Sequence, residues 1–154
     1  MIEITWLGHG TYSMTLATGE VIVVDPWITG NPAYPKNHHF DRVDVILVTH
    51  GHFDHIHDVL PLAQKFSPQI GCIYETGHWL ESKGAKNVVG FNKGGTAQLG
   101  PIAATMTHAV HSCGILDEGN DVVRVLNAQT VLNFTPRTFL KDFNVGGFVG
   151  HSVM

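Results

Sequence analysis

The sequence predicts an α/β fold built on mixed β-sheets, and three observations carry that expectation. Residues 2–24 alternate apolar and polar positions in short runs separated by turns. Beyond residue 43, short apolar runs alternate with stretches at helical spacing. The chain has 154 residues, 44% hydrophobic and 14% charged, which is enough for one domain with a sizeable core. An antiparallel start followed by alternating strands and helices implies a mixed sheet with helices on its faces.

Taken in order, Ile2, Ile4 and Trp6 alternate with Glu3 and Thr5, and Tyr12, Met14 and Leu16 alternate with Ser13 and Thr15. Thr18-Gly19-Glu20 predicts a turn, and Val21 to Val24 a short apolar strand ending at Asp25-Pro26. These three strands are expected to form an antiparallel meander. Residues 27–40 carry Gly30, Asn31, Pro32, Pro35 and Asn37 and read as a long loop, the kind that is usually functional. Val43 to Val48 is a further buried strand. A helix is expected from Asp58, whose carboxylate would cap it, through Leu60, Leu62, Ala63 and Phe66, with Pro61 in its first turn. Ile70 to Tyr74 reads as a strand, and His78 to Lys83 as a short helix stopped by Gly84. Val88 to Phe91 is a strand, Asn92 to Gly95 a turn, and Ile102 to Thr107 a last strand. There are no internal repeats.

Composition narrows the function. A net charge of −4 without a basic run gives no reason to expect nucleic acid as a partner. No apolar stretch approaches a membrane span, and no leader pattern stands at Met1, so a cytoplasmic protein acting on a small molecule is expected. Cys72 and Cys113 form no disulfide framework; Cys72 reads as a buried thiol, and Cys113, despite lying close to His111, as an ordinary one. No Gly-x-Ser-x-Gly elbow supports a serine hydrolase. Histidine is the outlier, with 11 residues against 9 for Lys and Arg together.

The histidines concentrate in Thr49-His50-Gly51-His52-Phe53-Asp54-His55, directly after the apolar strand. On a loop leaving a strand, His50 and His52 can point at one centre while Gly51 leaves the backbone between them unhindered. Adjacent Asp54 and His55 can be directed to a second position nearby. Neutral imidazole and carboxylate suit two divalent ions, zinc or else manganese or iron. Two such ions, about 3.5–4 Å apart, share a hydroxide whose pKa is drawn toward neutrality, ready to attack an ester, lactone, amide or phosphoester. Asp54 and His55 are therefore the expected catalytic pair, Asp54 orienting the nucleophile. A further ligand from another strand is supplied by His108 or His111, both after Ile102 to Thr107. His9, in the turn Gly8-His9-Gly10, is expected to face the same cleft. His38 and His39 are expected to be solvated, His57 and His78 to begin helices, and His151 to be idle.

With these residues in place, the chain resembles the metal-dependent hydrolase branch of the metallo-β-lactamase superfamily and is similar to L-ascorbate-6-phosphate lactonase-like proteins. Trp6-Leu7-Gly8-His9-Gly10, Val24-Asp25-Pro26-Trp27-Ile28-Thr29-Gly30-Asn31-Pro32, Val48 to His55, Gly94-Gly95-Thr96 and Met106 to Ser112 carry the resemblance, which covers about residues 1–114 of a single domain. It implies an αββα sandwich of two mixed sheets between helices, incomplete at the C-terminus. It implies His50, His52 and His111 on one metal, Asp54 and His55 on the other, and Asp25 supporting the metal loop; His108, from the residues alone, is expected to stand beside the centre or to be structural rather than to ligate. Residues 115–154 diverge, since Val122 to Phe134 lacks the family's glycine pattern; Asp142 is the candidate bridging carboxylate there. A truncated or inactive metal-binding member with a structural or partner-dependent role, including a homo-oligomer in which a second subunit lends ligands, is the alternative the tail raises.

Overall fold

The computed structural model describes residues 1–111 and, as strand backbone, residues 115–116, 122–123 and 130–136. Asp142, Cys113 and His151 lie outside the described residues. A six-stranded sheet runs in chain order: β1 (Glu3–Trp6), β2 (Tyr12–Thr15), β3 (Val21–Val24), β4 (Val45–Leu47), β5 (Gln69–Ile73) and β6 (Val88–Phe91). β1 to β3 form the expected antiparallel meander, and β3 to β6 are parallel. Parallel neighbours need crossovers. Helix α2 (Val59–Phe66) supplies the one from β4 to β5, and α3 (Tyr74–Ser82) the one from β5 to β6. Between β4 and α2 lies α1 (Phe53–Ile56), a single turn inside the histidine cluster.

A second sheet pairs β7 (Thr96–Leu99), β8 (Ile102–His108) and β11 (Thr130–Pro136), antiparallel with β8 central, and a separate ribbon joins β9 (Ile115–Leu116) to β10 (Val122–Val123). Period-two alternation sorts the side chains of the central strands between two cores. Val45, Leu47 and Ile22 face Leu99, Ile102 and Ala104 of the second sheet. Ile46 and Val23 face the helices, where Val59, Leu62 and Leu80 meet them. Gly71 keeps the sheets close, because a Cβ there would stand 2.4 Å from Leu99 Cδ1.

Several expectations shift. α3 begins at Tyr74 rather than His78, so His78 is an exposed mid-helix residue. Gly77, which argues against a helix in sequence, is there for packing: its Cβ would meet Val88 Cγ1 at 3.1 Å and Cys72 Sγ at 3.3 Å. His57 does not open α2 but closes α1, its amide donating to the Phe53 carbonyl. β7 was hidden because only Ala97 and Leu99 of its four residues face the core. The described helices pack on one face of the large sheet, the other being covered by the second sheet, whose described strands are all antiparallel. His38 is half-buried rather than solvated, wedged edge-on between Tyr34 and Phe40, and burial followed by His39 pushes its pKa down. His39 is exposed. Cys72 is fully buried, which, with Glu81 nearby, pushes its thiol up to about 12.

Asp58 sits at the N-cap of α2 but makes no cap hydrogen bond. Its carboxylate instead accepts from the Ile28 and Thr29 amides (2.6 and 2.9 Å), the Thr29 hydroxyl (2.9 Å) and His57 Nδ1 (3.0 Å). It thereby pins the 27–30 loop to the start of the helix. Burial raises the Asp58 pKa, yet these donors outweigh it and hold the group below the usual carboxylate value. A lowered carboxylate contributes stability that is full above its unfolded pKa, about 3.9, and lost as pH falls through the folded value. Asp58→Asn is accordingly expected to cost about 1–3 kcal/mol at neutral pH. The deficit relative to the native residue should shrink on acidification, as urea unfolding at the two pH values will read.

Candidate metal centre

The centre forms where β3 and β4 end side by side. Val24 pairs with Leu47, so the next residues of both strands, Asp25-Pro26 and Val48-Thr49-His50, leave the sheet at the same edge. Asp25 takes up a left-handed backbone, φ 47°, which aspartate tolerates better than most residues. Its amide donates to the Leu47 carbonyl at 2.9 Å and its carbonyl accepts the Thr11 hydroxyl at 2.7 Å. The carboxylate, 3% exposed, turns back under the histidine loop. There it accepts the Thr49 amide (2.7 Å) and hydroxyl (2.5 Å) and pairs with His55 Nδ1 (2.8 Å).

Above this brace, His50, His52 and His111 converge, their ligating nitrogens all within 4.8 Å of one another. His50 Nε2 lies 3.0 Å from His52 Nδ1, and the His111 ring stands 4.8 and 4.9 Å from those of His50 and His52. A tetrahedral ion with metal–nitrogen bonds of 2.0–2.1 Å places its ligand nitrogens roughly 3.3 Å apart, so the three imidazoles fit one divalent ion. The donor chemistry fits as well. Burial, then the His55, His52, His111 and His9 rings, pushes His50 down to about 2, and burial followed by His111 lowers His52. Both are therefore in the neutral form that ligates at ordinary pH.

Beside them, His9 Nε2 lies 2.6 Å from Asp54 Oδ2, and the same oxygen is 3.9 Å from His55 Nε2. Burial opposes charge on His55, but the Asp25 hydrogen bond and the Asp25 and Asp54 charges raise its pKa. His55 also falls within reach of Asp25 and His50 as a third possible donor group. Asp25 is already committed to Thr49 and His55, which makes it a support rather than a ligand.

The structure thus brings together His50, His52, Asp54, His55, His111, His9 and Asp25. His108 stands apart from this group: it is exposed at the end of β8, with Nδ1 3.2 Å from Lys93 Nζ, and it joins none of the metal-capable clusters among the described residues. His108 shares the face of Ala104 and Met106 but is the last residue of β8, past the covered part of the strand, while the chain beyond the strand end returns His111 to the centre. Residues the sequence reasoning passed over also build the site. Thr49 and Thr11 link the loops through Asp25, and Asn31 ties the long loop to the Trp27 and Gly8 carbonyls at 2.9 and 3.3 Å. Gly10 leaves room for the His55 ring, whose Cε1 would be 2.7 Å from a Cβ at that position. The paired hydroxyls and Gly-His-Gly turn were visible signals; their partners were not.

Residues 20–137 match the family model of the beta-lactamase superfamily domain. A UPF0173 metal-dependent hydrolase of Solibacter usitatus is 61% identical over 118 residues, covering 77% of this chain and 51% of that protein. One from Koribacter versatilis is 54% identical over 123 residues, 79% of this chain and 52% of that protein. Among solved structures, Igni18, a metallo hydrolase from Ignicoccus hospitalis, superposes with a TM-score of 0.67 at 28% identity, covering 88% of this chain and 56% of that one. The chain spans about half the length of the curated relatives it matches. The family match and the mixed-sheet fold agree: the chain belongs to the metallo-β-lactamase superfamily.

Proposed function

We propose that this chain carries the metal-binding part of a metal-dependent hydrolase acting on a small ester, lactone or phosphoester in the cytoplasm. The observation that carries the reading is the convergence of His50, His52 and His111 over the buried Asp25 brace. The names borne by the relatives support it. A divalent ion, zinc or else manganese or iron, would supply polarisation of the scissile group and water with a lowered pKa. His50, His52 and His111 would hold it, with Thr49 and Asp25 fixing the loop that presents the first two. Asp54, half-exposed and gripped by His9, is placed to take a proton from the attacking water. His55 is oriented by Asp25, which accepts a hydrogen bond from its Nδ1–H and leaves Nε2 toward Asp54. The exposed Phe53 ring and the Trp27 ring, 6.0 Å apart, border the approach from solvent and would exclude bulk water beside a small substrate.

A second reading is favoured by the chain's coverage of only half its relatives: a metal-binding member that hydrolyses nothing without ligands from elsewhere, Asp142 or a second subunit included. Elemental analysis of the freshly purified chain separates the two, combined with hydrolysis of a model ester, lactone and phosphodiester before and after chelation. Bound metal, with hydrolysis lost on chelation and restored by zinc, is expected. Bound metal without hydrolysis would select the second reading, and absence of metal would end both.

A further inference from the structure

We propose that Lys93 and His108 form an anion-binding subsite beside the metal centre, which holds a phosphate or carboxylate group of the substrate away from the bond that is cleaved. The inference rests on the hydrolase reading and adds to it the charge of the substrate. Neither residue belongs to the metal-capable clusters among the described residues.

Strand register places the pair. Leu47 of β4 is level with Gly71 of β5, which is level with Val89 of β6. His50 lies three residues beyond that level and Lys93 four, so both leave the sheet at the same edge. Ligands of open α/β sheets gather beyond this edge, the carboxyl ends of the parallel strands. Two strand spacings of about 4.8 Å separate β4 from β6, which sets Lys93 roughly 10 Å to the side of the histidine loop. From the second sheet, Met106 packs onto Ile73 and Phe91, the last residues of β5 and β6. His108 follows on the same face of β8, so it stands over the outer ends of those strands, where its Nδ1 meets Lys93 Nζ at 3.2 Å.

The turn that carries Lys93 is fixed rather than loose. The Gly94 amide, at a φ of 82°, donates to the Met106 carbonyl at 2.7 Å, and the Met106 amide donates to the Gly95 carbonyl at 2.9 Å. The 92–95 turn is thereby locked to β8 just ahead of His108. Its ammonium is set against a second basic side chain instead of an acid. Lys93 can only donate, so His108 Nδ1 accepts and its Nε2 carries the ring proton. The pair then offers an ammonium and an imidazole N–H as donors, and neither side chain has a carboxylate partner among the described residues. A phosphate or carboxylate accepts charge-assisted hydrogen bonds from such donors, and a small substrate bound at the metal reaches them with a group several bonds from its scissile one.

The full chain is titrated with methyl phosphate and with acetate, following the Gly94 and Gly95 amides by NMR, for the native sequence, Lys93→Gln, Lys93→Arg and Lys86→Gln. Lys86 is exposed ahead of β6, at the opposite edge of the sheet, and controls for the loss of a charge alone. The same titrations in His52→Ala separate anions held by a metal. Removing the ammonium is expected to weaken the anion by about tenfold. That loss in Lys93→Gln, absent from Lys93→Arg and Lys86→Gln, supports the subsite, and the tighter of the two anions names the acidic group. Equal weakening in Lys93→Gln and Lys86→Gln, no weakening in either, or binding that vanishes in His52→Ala overturns it. Hydrolysis is read separately on p-nitrophenyl butyrate and its derivatives with a terminal carboxylate or phosphonate. Lys93→Gln should raise KM for the derivative bearing the preferred acid, with its kcat, the butyrate and the metal content unchanged. A KM that rises for the butyrate as well, or for none of the esters, overturns the link to substrate. Lys93-dependent anion binding in a chain that cleaves none of them leaves the anion site standing and overturns the hydrolase reading.

Discussion

His52→Ala is expected to weaken the first metal by more than roughly 100-fold and to bring hydrolysis down to the level of the metal-free chain. The change removes one of three convergent nitrogens, and the remaining pair, His50 and His111, cannot enclose an ion by themselves. His52 is the better choice than His50 for this test. His50 is 7% exposed, packed against the His55 ring at 4.0 Å, and its loss would open a hole beside the Asp25 brace. His52 is half-buried on the loop before α1, and its side chain meets only the rings of its fellow ligands His50 and His111 among the described residues. Its removal should therefore change the unfolding free energy of the metal-free chain by no more than about 0.5 kcal/mol. Metal content, hydrolysis and denaturant unfolding on one preparation check all three. Retained hydrolysis in a variant that has lost its metal would remove the centre from the reaction.

The part of the centre that is local in sequence was legible in sequence. An apolar run that ends in His50-Gly51-His52 and Asp54-His55 cannot bury those side chains without a purpose, and the strand that must precede them is visible as Val45 to Leu47. The meander, the parallel strands and α2 followed from period and turn chemistry in the same way. What depends on contacts between distant segments was hidden. Residues alone left His108 and His111 equivalent, and only the family resemblance preferred His111; at the exposed end of β8, His108 lies beside Lys93 instead. Asp58 has a helix-cap signature, yet the 27–30 loop offers it more donors than the helix end does. Gly77 and Gly10 look like breakers, but each is needed because another side chain presses on it, Val88 in one case and His55 in the other.

Asp25→Ala is expected to be the most destabilising single change at the centre, costing about 3–5 kcal/mol. Alanine leaves the Thr49 amide and hydroxyl and His55 Nδ1 without an acceptor in a buried place, and it must hold a φ of 47° that aspartate tolerates better. Asp25→Asn separates stability from metal binding. The amide keeps the shape and one acceptor for Thr49, and asparagine is at ease in the left-handed region. Its NH2 group, however, can only donate to His55 Nδ1, which forces the ring proton onto Nε2, the atom that faces Asp54. The variant should fold yet lose metal affinity at His55 by about 10–100-fold. Proton linkage adds a signature in the metal-free chain. Asp25 raises the His55 pKa, so its contribution is full below about pH 6.5 and declines as pH rises through the folded value. The stability deficit of Asp25→Ala should therefore be larger at pH 6 than at pH 9, measured by urea unfolding in chelator. A deficit that is flat or grows with pH would mean that the carboxylate acts through Thr49 alone, and that His55 takes its orientation from Gly10 and the packing around it.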